Sequence, residues 1–208
     1  MDNKETSSGQ PEMEIKNKAQ IRKDNILMYL HDFVVWLVAI LLAFLLLFRV
    51  VVVSGGSMND TLIHGDYLLL LNNVLYSEPK QGDIIVAAKT SFKNGEPIIK
   101  RVIATEGQWV DIDFEAGIVY VNGTALEEPY IKTPTNVFEG VGFPLMVEDG
   151  CIFVMGDNRN ESKDSRSLEI GLIDEREILG KAIFLFYPGT NGIRDPQPRD
   201  FGRIGVID

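Results

Sequence analysis

The chain has 208 residues, 23.3 kDa and 45% hydrophobic residues, enough for one ordinary domain with a small appendage but not for two full-size domains. The single cysteine, Cys151, excludes an intrachain disulfide framework and a Cys-rich zinc site, and is expected to be a buried, inert thiol. A formal charge of −10 repels phosphate backbones and argues against a nucleic-acid partner; His31 and His64 lack His or Cys neighbours, so no metal and no other cofactor is expected.

Residues 1–30 read as a polar, largely disordered tail. Phe33 to Phe48 then gives 16 consecutive apolar positions, and Val50 to Val53 continue the run past Arg49, whose long stem can snorkel to the headgroups. At 1.5 Å per residue the uninterrupted stretch covers about 24 Å, so residues 31–53 are predicted to form one transmembrane helix. A buried core helix is disfavoured because the run is apolar on every face. A cleaved signal peptide is disfavoured by the long tail ahead of it and by valines where small residues would be cut. Lys16, Lys18, Arg22 and Lys23 precede the span while only Arg49 follows closely, which predicts a cytoplasmic N-terminus and places residues 54–208 outside the plasma membrane.

Beyond the span, short apolar runs separated by turn residues predict a mainly β, extracytoplasmic domain. The expected strands are Tyr67–Leu71, Asp83–Ala87, Ile98–Ile103, Trp109–Phe114, Ile118–Val121, Cys151–Met155 and Ala182–Tyr187, with turns at 115–117 and at Asn122-Gly123. The alternation from Val110 to Phe114 predicts one wet face. Residues 133–150, with Pro134 and Pro144, read as a long loop. Leu68 to Leu71 are read as core, with membrane-interface contact the alternative.

Three polar clusters interrupt this pattern. Ser54-Gly-Gly-Ser-Met-Asn-Asp-Thr-Leu62 follows the span, and its glycines let a backbone approach another chain closely. Alone it would read as a flexible linker. Lys100 and Arg101 sit in an otherwise apolar strand, whose alternation sends them to opposite faces, so one is expected to face the core. A buried lysine loses its charge by desolvation and becomes a base. Gly156-Asp-Asn-Arg-Asn-Glu-Ser-Lys-Asp-Ser-Arg166 is a dense polar loop behind an apolar strand.

Taken with the N-terminal anchor and Gly82-Asp-Ile-Ile-Val86, these clusters resemble bacterial type I signal peptidases, membrane-bound serine proteases of the S26 type, over nearly the whole chain. The resemblance implies the family's β-fold, Ser57 as nucleophile and Lys100 as general base of a Ser-Lys dyad. It implies that Ser162 orients the lysine amine, and that the Ser57 N–H supplies an oxyanion donor. Arg101, Asp164 and Arg166 would form a supporting ion-pair network, and Asp157 and Asn158 would fix the loop. Val51, Val53, Met58 and Ile99 would line shallow pockets for small residues at −1 and −3 of an extended signal peptide. The implied partners are secretory preproteins emerging from the translocation machinery, and membrane lipids. Two positions depart from the family: Gly55 stands where some members carry a second, serine oxyanion donor, and Asp60 replaces the usual proline, bringing a carboxylate able to perturb Lys100. The competing readings are a hydrolase built on His64, which lacks a G-x-S-x-G context, and a catalytically inactive, membrane-tethered module that binds signal peptides or pilin precursors.

Overall fold

The structure is a computed structural model that describes residues 10–90, 92–190 and 198–207. Helix α1 spans Gln10–Leu47, and its part Gln20–Leu47 is long and apolar enough to cross a membrane. Its apolar side chains, among them Phe33, Trp36 and Leu41, are exposed, as a lipid-facing helix requires. Two sequence expectations change here. The helix already begins at Gln10, within the stretch expected to be disordered; residues 1–9 lie outside the described residues. It also ends at Leu47 rather than Val53, and Phe48–Val52 forms strand β1. The physical reason is that Val50 to Val53 are β-branched and stiff at χ1, which favours a pleated strand once a partner strand is available.

That partner is β2 (Tyr67–Asn72), antiparallel to β1 with Phe48 opposite Leu71 and Val52 opposite Tyr67. The remaining strands are β3 (Ile84–Ala87), β4 (Ile98–Thr105), β5 (Trp109–Asp113), β6 (Ile118–Val121), β7 (Thr124–Ala125), β8 (Leu145–Met146), β9 (Cys151–Met155), β10 (Ile173–Asp174), β11 (Ile178–Tyr187) and β12 (Gly205–Val206). They build two sheets. The larger runs β1-β2-β11-β3-β4-β9-β10 with β12 added beside β11, and the smaller runs β7-β6-β5-β8. All pairings are antiparallel. The chain is therefore mainly β behind one long helix.

Each predicted strand is present, within a few residues of its expected ends. β11 starts four residues early, at Ile178, and the loop 133–150 contains β8 and a bridge between Gly140 and Ser167. In β5, Val110 and Ile112 are buried while Trp109, Asp111 and Asp113 are exposed, the expected wet face. Asn122 and Gly123 both adopt positive φ, at 50° and 77°, and close the two-residue hairpin between β6 and β7. Leu68 and Leu70 are fully buried, in one core cluster with Val53, Met58, Leu62 and Val86. Cys151 is half-buried rather than buried, and desolvation, with Asp174 and Glu148 nearby, pushes its thiol pKa up.

Asp66 ties the segment after β1 to the C-terminal part of the chain. Its fully buried carboxylate accepts from the Ile63 N–H (2.8 Å), the Gly189 N–H (2.6 Å) and both Nη atoms of Arg203 (2.9 and 2.8 Å). Asp66→Ala leaves two backbone donors and a guanidinium without their acceptor, and should destabilise the domain by about 3–5 kcal/mol. Thermal unfolding of the two proteins measures this; an unchanged midpoint contradicts it.

Candidate active site

The sharp turn after β1 is made by Gly55, Gly56 and the residues that follow. Gly55 has φ +91°, a conformation that side chains disfavour, and its N–H donates to His64 Nδ1 at 3.2 Å. His64 thus braces the turn through its Nδ1 acceptor, and the contact at Ser57 Oγ comes from elsewhere. The Met58 carbonyl accepts from the Leu62 N–H at 2.9 Å, Met58 is buried in the core, and Ser57 is left at the rim of a cavity. Among the described residues the Ser57 N–H has no hydrogen-bond partner, whereas its carbonyl accepts from the Asn158 N–H at 3.0 Å.

Lys100 comes from β4 and lies opposite Ile85 of β3. Its Nζ is 2.7 Å from Ser57 Oγ and donates to the Ile99 carbonyl at 2.9 Å. The residue is only 4% exposed. Desolvation of this degree disfavours the ammonium relative to the amine. The neighbouring Arg101 is equally buried and points to the other face, as strand alternation requires, so both charged residues of this strand are buried rather than one.

Arg101 makes a two-pronged ion pair with Asp157, Nε to Oδ1 at 3.0 Å and Nη2 to Oδ2 at 2.9 Å. Its Nη1 donates to the Gly82 carbonyl at 2.8 Å, and its guanidinium stacks 4.0 Å above the Tyr130 ring. Asp157 Oδ2 also accepts from Thr61 Oγ1 at 2.6 Å, which links β4, the polar loop and the turn after Ser57. The single expected network of Arg101, Asp164 and Arg166 is in fact divided. Arg166 pairs two-pronged with Asp164 at 2.8 Å on each side, both fully buried, and lies 3.3 Å from Glu139. Burial, followed by the Asp164 charge, pushes the Glu139 carboxyl up to about 7, against the opposing pull of Arg166, Lys163 and Lys100. Asp164 Oδ2 in turn accepts from the Gly156 N–H at 2.9 Å.

Asn158 is the most direct brace of the turn. Besides its N–H to Ser57, its Nδ2 donates to the Gly56 carbonyl at 3.0 Å and to Glu161 Oε2 at 3.0 Å. Ser162 differs from expectation. Its Oγ is buried close to Gly156 and has no hydrogen-bond partner, so the implied bond to the Lys100 amine is not formed; that amine is turned to Ser57 Oγ and the Ile99 carbonyl. Asp60 also differs. Its side chain is 72% exposed and faces Lys132 Nζ at 3.8 Å, so its charge is spent on solvent and on that lysine rather than on Lys100.

A cavity of about 550 Å³ opens beside Ser57 and Lys100. Val51, Val53, Met58 and Ile99, all four expected pocket residues, line it together with Val86. Among the described residues no group of three or more His, Cys, Asp or Glu side chains is placed to hold a metal. Arg159, in the polar loop 156–166 but with no role expected from sequence, is fully buried; its Nη1 donates to Glu128 Oε2 and Thr135 Oγ1 at 2.9 Å each, and its Nη2 to Glu128 Oε1 at 2.5 Å. An arginine directly behind an apolar strand was the available signal; its partner 31 residues upstream carried none.

Gly156 sets a close approach. A Cβ there would stand 2.2 Å from Ser162 Oγ and 2.4 Å from the Ser57 carbonyl oxygen, which is backbone and cannot rotate away. Gly156→Ala should therefore cost about 1–3 kcal/mol of stability, while Gly142→Ala, which meets nothing within 4 Å, should cost under about 1 kcal/mol. Paired melting curves check the difference, and equal midpoints would refute this packing.

The family model described as signal peptidase, peptidase S26, matches residues 26–187. Signal peptidase I of Bacillus licheniformis is 32% identical over 181 residues, covering 83% of this chain and 95% of its own. The probable signal peptidase I-1 of Synechocystis sp. is 39% identical over 165 residues, covering 74% and 80%. A crystal structure of a signal peptidase I from Enterococcus faecalis V583 is similar with a TM-score of 0.42 and 28% identity, over 50% of this chain and 97% of that one. A match this long, with relatives this similar, establishes that the chain belongs to the signal peptidase family, peptidase S26, and is a signal-peptide-cleaving serine peptidase.

Proposed function

We propose that this chain is a membrane-anchored endopeptidase that removes signal peptides from exported preproteins with Ser57 as nucleophile and Lys100 as general base. The observation that carries the reading is the 2.7 Å separation of Ser57 Oγ and a buried Lys100 Nζ. The neutral amine accepts the Ser57 hydroxyl proton as Oγ attacks the carbonyl carbon of the −1 residue. The Ser57 N–H, unpartnered among the described residues, stabilises the developing oxyanion. The Lys100 ammonium then protonates the leaving amine, and the acyl group stays on Ser57 Oγ as an ester. Lys100, neutral again, deprotonates a water that attacks this ester, and proton return restores the serine. Gly55 contributes no second oxyanion donor through its N–H, which is held by His64.

The preprotein binds extended beside residues 51–55 and 96–99, with the −1 and −3 side chains against Val51, Val53, Met58 and Ile99. Valine and isoleucine walls leave shallow space, which favours alanine-sized residues. Asp157, Asn158, Asp164, Arg101 and Arg166 are positioning residues that hold the turn against β4. Ser162 orients the amine once substrate draws it from the Ile99 carbonyl, with the Ser57 contact kept; its unpaired buried Oγ supports that role. The Gln20–Leu47 segment crosses the plasma membrane once, with the N-terminus cytoplasmic. Tethering raises the effective concentration of enzyme for preproteins leaving the translocation machinery beside the lipid surface.

Incubating the detergent-solubilised protein with a preprotein carrying an Ala-X-Ala site should give a new N-terminus directly after the second alanine. Ser57→Ala and Lys100→Met should each lower the rate by at least about 10³-fold, and His64→Ala by far less. Cleavage that survives Lys100→Met but is lost in His64→Ala contradicts the dyad, and peptide binding without cleavage by the unaltered protein would indicate the inactive module.

A further inference from the structure

The cavity beside Ser57 has a second kind of wall. Opposite in character to Val51, Val53, Met58 and Ile99, it carries Glu161 and Lys163 from the polar loop, with Glu96 also on its lining. Glu161 ends the short helical turn Arg159–Glu161, and its Oε2 accepts from Asn158 Nδ2 at 3.0 Å. The same Nδ2 donates to the Gly56 carbonyl, and the Asn158 N–H donates to the Ser57 carbonyl. A single side chain thus holds this carboxylate to the backbone that carries Ser57.

The charges do not cancel. Lys163 Nζ is 2.5 Å from Glu169 Oε1, an exposed carboxylate that does not line the cavity and draws this cation away from it. Glu161 is held by a neutral amide, and among the described residues it has no cationic partner. Glu161 is exposed, so its charge is open to a ligand and not locked in the protein interior. An uncompensated carboxylate at the rim of a peptide cleft attracts cationic side chains and repels anionic ones.

Resting on the reading of Ser57 as nucleophile, we propose that Glu161 is a specificity-determining residue that favours preproteins with a basic residue, and disfavours those with an acidic one, at the first positions of the mature chain. The small −1 and −3 side chains occupy the apolar wall. The charged lip, tied to the Ser57 backbone through Asn158, then faces the chain on the other side of the scissile bond.

Three preproteins that differ only in Lys, Gln or Glu at the second mature position test this with the full-length protein in detergent. The unaltered enzyme should rank them Lys, Gln, Glu in kcat/KM, with about 10-fold between the extremes at low salt and a smaller ratio at 0.5 M salt. Glu161→Gln keeps an acceptor for Asn158 and should bring the ratio to about 1–2; Glu161→Lys should invert it. A flat or acid-favouring ranking by the unaltered enzyme overturns the proposal whatever the variants do, and the acid-favouring result would point to Lys163. A ranking that persists in Glu161→Gln overturns it as well. Failure of the underlying reading has a different signature, since it would show as cleavage of the Gln substrate by Ser57→Ala.

Discussion

The contact on which the cavity and its surrounding turn and loop are organised is that between Lys100 Nζ and Ser57 Oγ, 2.7 Å apart. A long cationic side chain has no intrinsic reason to sit beside a serine at 4% exposure, because solvation favours its ammonium in water. Two halves of the fold must bring the pair together. Lys100 is delivered by β4, a strand paired on both sides, and Ser57 by a glycine turn leaving the edge strand β1. The cost of dehydrating the amine is met by the surrounding core, and that same cost makes it a base in our reading.

The polar loop beside this contact is held by three buried arginines paired with carboxylates. Arg101 with Asp157, Arg159 with Glu128, and Arg166 with Asp164 and Glu139 each fix one stretch of the 156–166 loop. Buried pairs of this kind add little net stability over apolar packing, but losing one partner leaves an uncompensated charge, so the loop has few alternative arrangements. Asn158 converts that fixed loop into a fixed turn by holding the Gly56 and Ser57 carbonyls. The arrangement is costly in polar burial and makes sense as preorganisation, with the geometry set before substrate arrives.

Much of this was legible in the sequence because apolar runs bounded by Gly, Asn and Pro are strong strand signals, and β2, β4, β6 and β9 lie where those runs stand. Strand β1 was not, since Phe48 to Val53 continue the hydropathy of α1 and only their β-branching marks the change. The two-residue strands β7, β8, β10 and β12 are set by tertiary pairing and leave no periodicity to read. At the site, Ser57, Lys100 and residues of the polar loop come together at one cavity, and all four expected apolar residues line it. Pairing was harder: Asp157 rather than Asp164 meets Arg101, Asp60 turns to solvent, and Ser162 Oγ is left without a partner. Which carboxylate meets which guanidinium depends on loop paths, and residue types alone do not encode them.

In the proposed mechanism the fold holds Lys100 as an amine near neutral pH. Titrating the methyl-labelled lysine side chains of the full-length protein by NMR, with the Lys100 signal assigned from its loss in Lys100→Met, tests it directly. The account predicts a Lys100 midpoint well below the ordinary lysine value of about 10.4, displaced from every exposed lysine in the chain. A midpoint at that ordinary value would contradict it, since an ammonium at Ser57 cannot accept the hydroxyl proton.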